Sequence, residues 1–151
     1  MDLILKNGLP HQTKGVNAIS NVFTESSFET NTLYYANPKL HLDKDVLLSS
    51  IKEVQKHNSI HPEHTGLNTI GDYLNLDIKM ETGTGKTYVY ASTIFELHKR
   101  YKINKFIVVV PTLPIKAGAR QFLSDPYVKK HFKDVCGYNS EIDLQVLESV
   151  K

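Results

Sequence analysis

A chain of 151 residues, 40% hydrophobic and 23% charged, is long enough for one packed domain and too apolar to be disordered as a whole. Its net charge of +2 is too mild to argue by itself for nucleic acid, and the single cysteine, Cys136, excludes an internal disulfide and suits a reducing compartment. No apolar stretch approaches the roughly 20 residues that span a bilayer, and Met1-Asp2-Leu3-Ile4-Leu5-Lys6 lacks the features of a secretory signal, so a cytoplasmic protein with no membrane partner is expected.

Leu9-Pro10-His11-Gln12 opens the first expected helix: proline suits the first turn, and Val16, Ile19, Val22 and Phe23 recur at roughly helical spacing. From Thr24 to Asn37 the polar residues and scattered aromatics Phe28, Tyr34 and Tyr35 read as loop or irregular strand. A second helix follows, capped by Asp43 or Asp45, with Leu47, Leu48, Ile51 and Val54 on one face and an end at His57-Asn58. His61-Pro62-Glu63-His64-Thr65-Gly66 is a turn-rich connector. Its two histidines lack the third and fourth ligands a zinc site needs, so they are taken as solvated loop residues.

Leu74 to Met80 alternates as a strand does, and Thr87 to Arg100 reads as a helix with Val89, Ala91, Ile94, Phe95 and Leu97 on its apolar positions. Between them lies Met80-Glu81-Thr82-Gly83-Thr84-Gly85-Lys86-Thr87, whose ending Gly-x-Gly-Lys-Thr has the composition of a phosphate-cradling loop. Chance would supply that ending, with Ser or Thr last, in a chain of this length with odds on the order of one percent.

The residue types fit the chemistry. Gly83 and Gly85 remove the Cβ atoms that would keep backbone N–H groups from phosphate oxygens; Lys86 supplies a mobile cation for the β- and γ-phosphates of ATP; and the Thr87 hydroxyl is a hard oxygen suited to Mg²⁺. A helix starting here turns its positive end toward the phosphates. One departure stands out, since the stricter pattern has Gly where this chain has Met80.

Farther on, Lys105-Phe106-Ile107-Val108-Val109-Val110 is a nearly continuous apolar run, as in a parallel strand covered on both faces, and Pro111 closes it. Helices are expected over 115–123 and from Asp125-Pro126 through Phe132, then short strands near 134–138 and 142–147, the latter with Ile142, Leu144 and Val146 alternating. Strands alternating with helices make the fold class α/β, with a parallel sheet flanked by helices.

The run Leu76 to Tyr88, with Ile94-Phe95-Glu96-Leu97 and Val109-Val110-Pro111-Thr112, closely resembles the restriction subunit of type III restriction-modification enzymes, and the likeness is strongest from Leu67 to Tyr138. The resemblance implies the start of a longer polypeptide that couples a superfamily-two helicase motor, built of two RecA-like domains, to a distant nuclease domain. In that family Met80 is the expected residue. It further implies ATP and Mg as cofactors, bound by Gln12, Glu81, Thr82, Gly83, Thr84, Gly85, Lys86 and Thr87, with Lys86 and Thr87 catalytic. Double-stranded DNA and the modification (methyltransferase) subunit are the implied partners.

Gln12 resembles the glutamine that reads the adenine edge, where a carboxamide's donor and acceptor suit N6 and N7 together. The alternative is a solvent-exposed helix residue. Pro111, Thr112 and Lys116 resemble the helicase motif that meets the nucleic-acid backbone. The organisation implied is an N-terminal helix over 1–23, an inserted segment over 24–68, and the first part of RecA-like domain 1 over 69–151, a partial P-loop domain that stops before the acidic (Walker B) motif. No Asp-Glu dipeptide follows Lys86, and Arg100 and Arg120 are the only arginines. The chain alone is therefore expected to bind nucleotide and hydrolyse it poorly, with an incomplete sheet or an exposed apolar edge at 106–110. The competing expectation is a short nucleotide-binding or interaction module completed by a partner.

Overall fold

The computed structural model of the chain describes residues 5–29, 36–41, 43–61, 68–70 and 73–147. Two compact units emerge, Pro10–Lys105 and a second formed by Met1–Leu9 with Phe106–Lys151.

In the first unit, α1 (Pro10–Ser20) runs into a short 3-10 turn, Asn21–Phe23. A two-residue ribbon pairs β1 (Ser27–Phe28) with β2 (Leu40–His41), and α2 (Lys44–His57) follows. Asp43 caps α2 by accepting from the backbone N–H groups of Asp45 and Val46 at 3.0 and 3.3 Å. A second ribbon, β3 (Asn68–Ile70) and β4 (Tyr73–Asn75), leads to the glycine-containing loop and α3 (Lys86–Tyr101).

Among the described residues two packing regions hold this unit together. Val22, Leu47 and Ile51 are buried with Phe23, Val54, Leu74 and Leu76 against them, so α2 covers the 3-10 turn and the strand leading to the loop. Separately, α1 lies on α3, which buries Tyr88, Val89, Ala91 and Phe95. The far end of α3 is fixed to the end of α1 by Tyr101, whose hydroxyl donates to the Ser20 carbonyl at 2.7 Å and whose ring stacks on Phe28 with centroids 5.0 Å apart. Asn37 Oδ1 accepts from the backbone N–H groups of Asn104 and Lys105, which holds the segment after α3.

The second unit is built on α4 (Leu113–Ser124) and α5 (Pro126–Asp134), which pack together around buried Leu123, Val128 and Phe132. Asp125 caps α5 through the backbone N–H groups of Tyr127 and Val128, with proline in the first turn. Buried His131 sits edge-on to Phe132, and burial lowers its pKa.

The helices follow the expected pattern closely, and the strands do not. Among the described residues both ladders are antiparallel pairs of two or three residues, and none forms the expected parallel sheet. Strand pairing in the 74–80 stretch stops at Asn75. Phe106 to Val110 makes no ladder, with Ile107 and Val109 86% and 87% exposed. A strand must place its N–H and C=O groups on neighbours, and no described residue offers this run a partner.

The expected strand at 134–138 is instead a helix end. Gly137 turns with φ of +71°, and the N–H of Tyr138 returns to the carbonyl of Phe132 at 3.0 Å. From 141 to 147 the alternation survives without a ladder: Ile142, Leu144 and Val146 are half-buried while their neighbours are exposed. The expected turn at 62–66 and the loop residues Tyr34 and Tyr35 lie outside the described residues. Among the described residues no helix is long and apolar enough to cross a membrane.

Candidate functional site

The loop between Met80 and α3 is a tight turn closed on itself. The Thr84 hydroxyl and the Lys86 ammonium both donate to the carbonyl of Glu81, at 2.7 and 2.5 Å. Gly83 and Gly85 take φ of +81° and +84°, left-handed values that cost a residue with a Cβ about 1–2 kcal/mol. Gly85 is the N-cap of α3 and Lys86 its first residue, so the N–H groups at the helix start have no intrahelical acceptor. Thr87, half-buried in the first helical turn, lies beside the buried hydroxyl of Tyr90. Burial raises the Tyr90 pKa, and the Thr87 side chain pulls it the other way.

The first turn of α1 lies against this loop. Gln12 is only 8% exposed, so the solvent-exposed alternative for it is excluded. Its Nε2 donates to the Thr84 carbonyl at 3.2 Å, and the same carbonyl meets His11 Nε2 at 3.2 Å. A carbonyl only accepts, so the Gln12 amide nitrogen must face Thr84 and the bonded His11 nitrogen must carry a proton. Gln12 Oε1 is left buried with no hydrogen-bond partner among the described residues. An orphaned buried acceptor costs about 1–3 kcal/mol, which a ligand donor would relieve.

A Cβ on Gly85 would overlap Gln12 Nε2, so glycine here serves contact with α1 as well as the left-handed turn. On Gly83, in contrast, a Cβ would meet nothing within 4 Å. That side of the loop is open to a ligand.

The irregular Met80 also has a packing explanation. Its sulfur lies 3.7 Å from where a Cβ on Gly15 would stand, and Val89 Cγ1 lies 3.2 Å from that point. The methionine therefore fills space beside α1 where glycine would leave a gap.

Of the expected site residues, the structure brings Gln12 together with Thr84 and Gly85, and Lys86 and Thr84 together with Glu81. Thr82 is an exposed member of the turn. Pro111, Thr112 and Lys116 belong to the other compact unit: Thr112 is the N-cap of α4 with an exposed side chain, and Lys116 Nζ donates to the Leu147 carbonyl at 2.6 Å. His11 and Tyr90 were not foreseen. Neither carries a motif signal: His11 is tied to the loop by folding, across 73 positions, and Tyr90 stands one helical turn after Thr87.

The local geometry is thus a glycine-containing turn opening a helix, with a lysine at the helix start. The chain belongs to the family described as type III restriction enzyme, res subunit, which matches residues 67–145. It is 43% identical over 150 residues to the EcoPI Res subunit of Escherichia phage P1 and 42% identical over 151 to the EcoP15I Res subunit of Escherichia coli. In each case 97% of this chain is covered. Against the StyLTI Res subunit of Salmonella typhimurium it is 39% identical over 130 residues, 85% of this chain. The chain spans 15%, 15% and 10% of the lengths of these relatives.

Proposed function

We propose that this chain is the N-terminal, ATP-binding part of the restriction subunit of a type III restriction-modification enzyme, a DNA-translocating endonuclease that works with a modification subunit. The observation that carries the proposal is the contact of Gln12 with the loop: a buried amide with an unpaired Oε1, held at the base of a glycine turn that opens a helix.

The residues present fit ATP and Mg²⁺. Gly83 leaves open space beside the turn where backbone N–H groups could meet phosphate oxygens, and the Lys86 ammonium can exchange the Glu81 carbonyl for a phosphate oxygen, a charge-assisted bond. Thr87 would ligate the metal, and Gln12 Oε1 would accept from the adenine amino group. ATP supplies the phosphoanhydride whose cleavage drives movement on DNA. Glu81, Thr82 and Thr84 shape the turn, and Thr112, Lys116 and the chain bend at Pro111 meet the DNA backbone.

Family membership supports a RecA-like sheet in which Phe106 to Val110 is a parallel strand, its neighbour supplied by sequence beyond these residues. The acidic motif and the arginines that stabilise transferred charge would come from the same source, so this chain alone binds nucleotide with little turnover. The site and the absence of a membrane-spanning helix among the described residues suit a cytoplasmic enzyme.

The test is Lys86→Ala in a titration with a fluorescent ATP analogue. Lys86 is exposed, so the fold is expected to persist. Affinity is expected to fall about 10- to 100-fold, the range for losing a hydrogen bond from a charged group. Undiminished binding would remove the loop as the phosphate site, and rapid DNA-stimulated hydrolysis by this chain would remove the claim that it is catalytically incomplete.

A further inference from the structure

In the second unit, a groove of about 660 Å³ runs along one face of α4. Leu113, Lys116, Ala117, Arg120 and Gln121 recur at helical spacing on one wall, and Val146 of the extended 141–147 segment stands opposite. Among the described residues the lining has two cations and no carboxylate. Among the described residues Lys116 donates to a neutral carbonyl, that of Leu147, and to no carboxylate. Arg120 is exposed and has no hydrogen bond or ion pair among the described residues. One helical turn separates the two, which puts their Cβ atoms about 5–6 Å apart, a spacing that lets both reach a single polyanionic strand.

This goes beyond the contact proposed above for Thr112 and Lys116, and it rests on that reading. We infer that the α4 groove takes the phosphodiester backbone of a nucleic-acid strand and that Arg120 is a further phosphate contact, one turn along from Lys116. Charge complementarity selects the occupant. The groove is elongated along the helix and open, and its apolar residues Leu113, Ala117 and Val146 suit sugar and base surface between the charges. A strand-tracking site combines these features, whereas a free phosphate needs a closed cradle of donors. Arg120 recognises the backbone without reading sequence, and Gln121 can add a neutral hydrogen bond to phosphate or sugar.

The test is fluorescence anisotropy with labelled duplex and single-stranded oligonucleotides over a range of salt, using the whole chain and its Arg120→Gln, Arg120→Lys, Lys116→Gln and Gln121→Glu variants. Arg120→Gln is expected to lower the slope of log affinity against log salt by about 0.9 on duplex or about 0.7 on single strands, equally for unrelated sequences. Arg120→Lys should keep the slope, Gln121→Glu should weaken binding while leaving Arg120 in place, and ATP-analogue binding should not change.

An unchanged slope in Arg120→Gln with a lowered slope in Lys116→Gln overturns the extension and leaves the Lys116 contact standing. Unchanged slopes in both overturn the two together. Competition by inorganic phosphate or poly-aspartate at the charge concentration at which DNA competes overturns the nucleic-acid assignment, as does absence of binding to either oligonucleotide at low salt. Should Arg120→Gln lose helix content by circular dichroism, the Gln121→Glu result decides.

Discussion

Helix α3 and the run Phe106 to Val110 are both apolar, yet the structure treats them in opposite ways. The helix buries Tyr88, Val89, Ala91 and Phe95 within its own unit, whereas Ile107 and Val109, in the richer apolar run, remain almost fully exposed. The difference lies in the backbone. A helix satisfies its own N–H and C=O groups and needs a neighbour only for one face; α1 supplies it. A strand needs a neighbour on its edge before its faces can be covered, and the described residues provide none for 106–110. A helix and the turn that opens it can therefore form from a short stretch of sequence, while a strand ladder cannot.

The largest effect that could break this contrast comes from two substitutions in the second unit. Phe132→Ala removes a buried ring between α4 and α5 and is expected to cost about 3–5 kcal/mol of that unit's stability in urea titrations followed by circular dichroism. Ile107→Thr should stay within about 0.5 kcal/mol of the unaltered chain, as an exposed side chain does. Comparable losses from the two would mean that the 106–110 run is packed after all. The same Ile107→Thr in a polypeptide of the relatives' full length should cost on the order of 1 kcal/mol or more, because there the strand would be covered.

That division also marks what was legible in the sequence. The helices were readable because their signals are local: Asp43 and Asp125 cap as expected, and the glycines and lysine of the loop stand at the start of α3. The pairing of β3 with β4 is not among the expectations, although the sequence between the two runs, Gly71-Asp72, is of turn-forming type. The continuous apolar run at 106–110 and the alternation at 142–147 both suggest strands, but such patterns report burial preference and say nothing of a ladder partner. At the site, Gln12 carried its signal only through family resemblance. Its contact with Thr84 joins residues 72 positions apart, which no local pattern encodes.

A sharper probe of the helix-borne side is Gly85→Ala. The left-handed φ alone costs about 1–2 kcal/mol, and the new Cβ would push Gln12 away from the Thr84 carbonyl. The expected result is lower thermal stability and at least about tenfold weaker binding of an ATP analogue, by the free-energy equivalence of one decade per 1.4 kcal/mol. Adding Gln12→Ala removes the overlap and leaves the backbone strain, so the double variant should recover part of the lost stability. Full additivity of the two losses would mean that Gly85 is needed for its φ alone and that its missing Cβ makes no room for Gln12.

The smallest expected effect concerns Gly15, and it tests whether α1 is fitted to α3 or merely near it. Glycine inside a helix costs about 0.5–1 kcal/mol relative to alanine, so Gly15→Ala should stabilise α1 by that amount if space allows. Its Cβ would stand 3.2 Å from Val89 Cγ1 and 3.7 Å from the Met80 sulfur, tight enough that Val89 must shift by a few tenths of an ångström. The gain in helix propensity and the cost of overpacking then nearly cancel, and a change within about 0.5 kcal/mol is expected. Met80 decides the interpretation. The Met80 sulfur is at ordinary contact distance, but a Met80→Ala background leaves room into which Val89 can shift, so Gly15→Ala should become stabilising by thermal denaturation. No difference between the two backgrounds would mean that Met80 does not fill the space beside α1, and its place at the head of the loop would then need another cause.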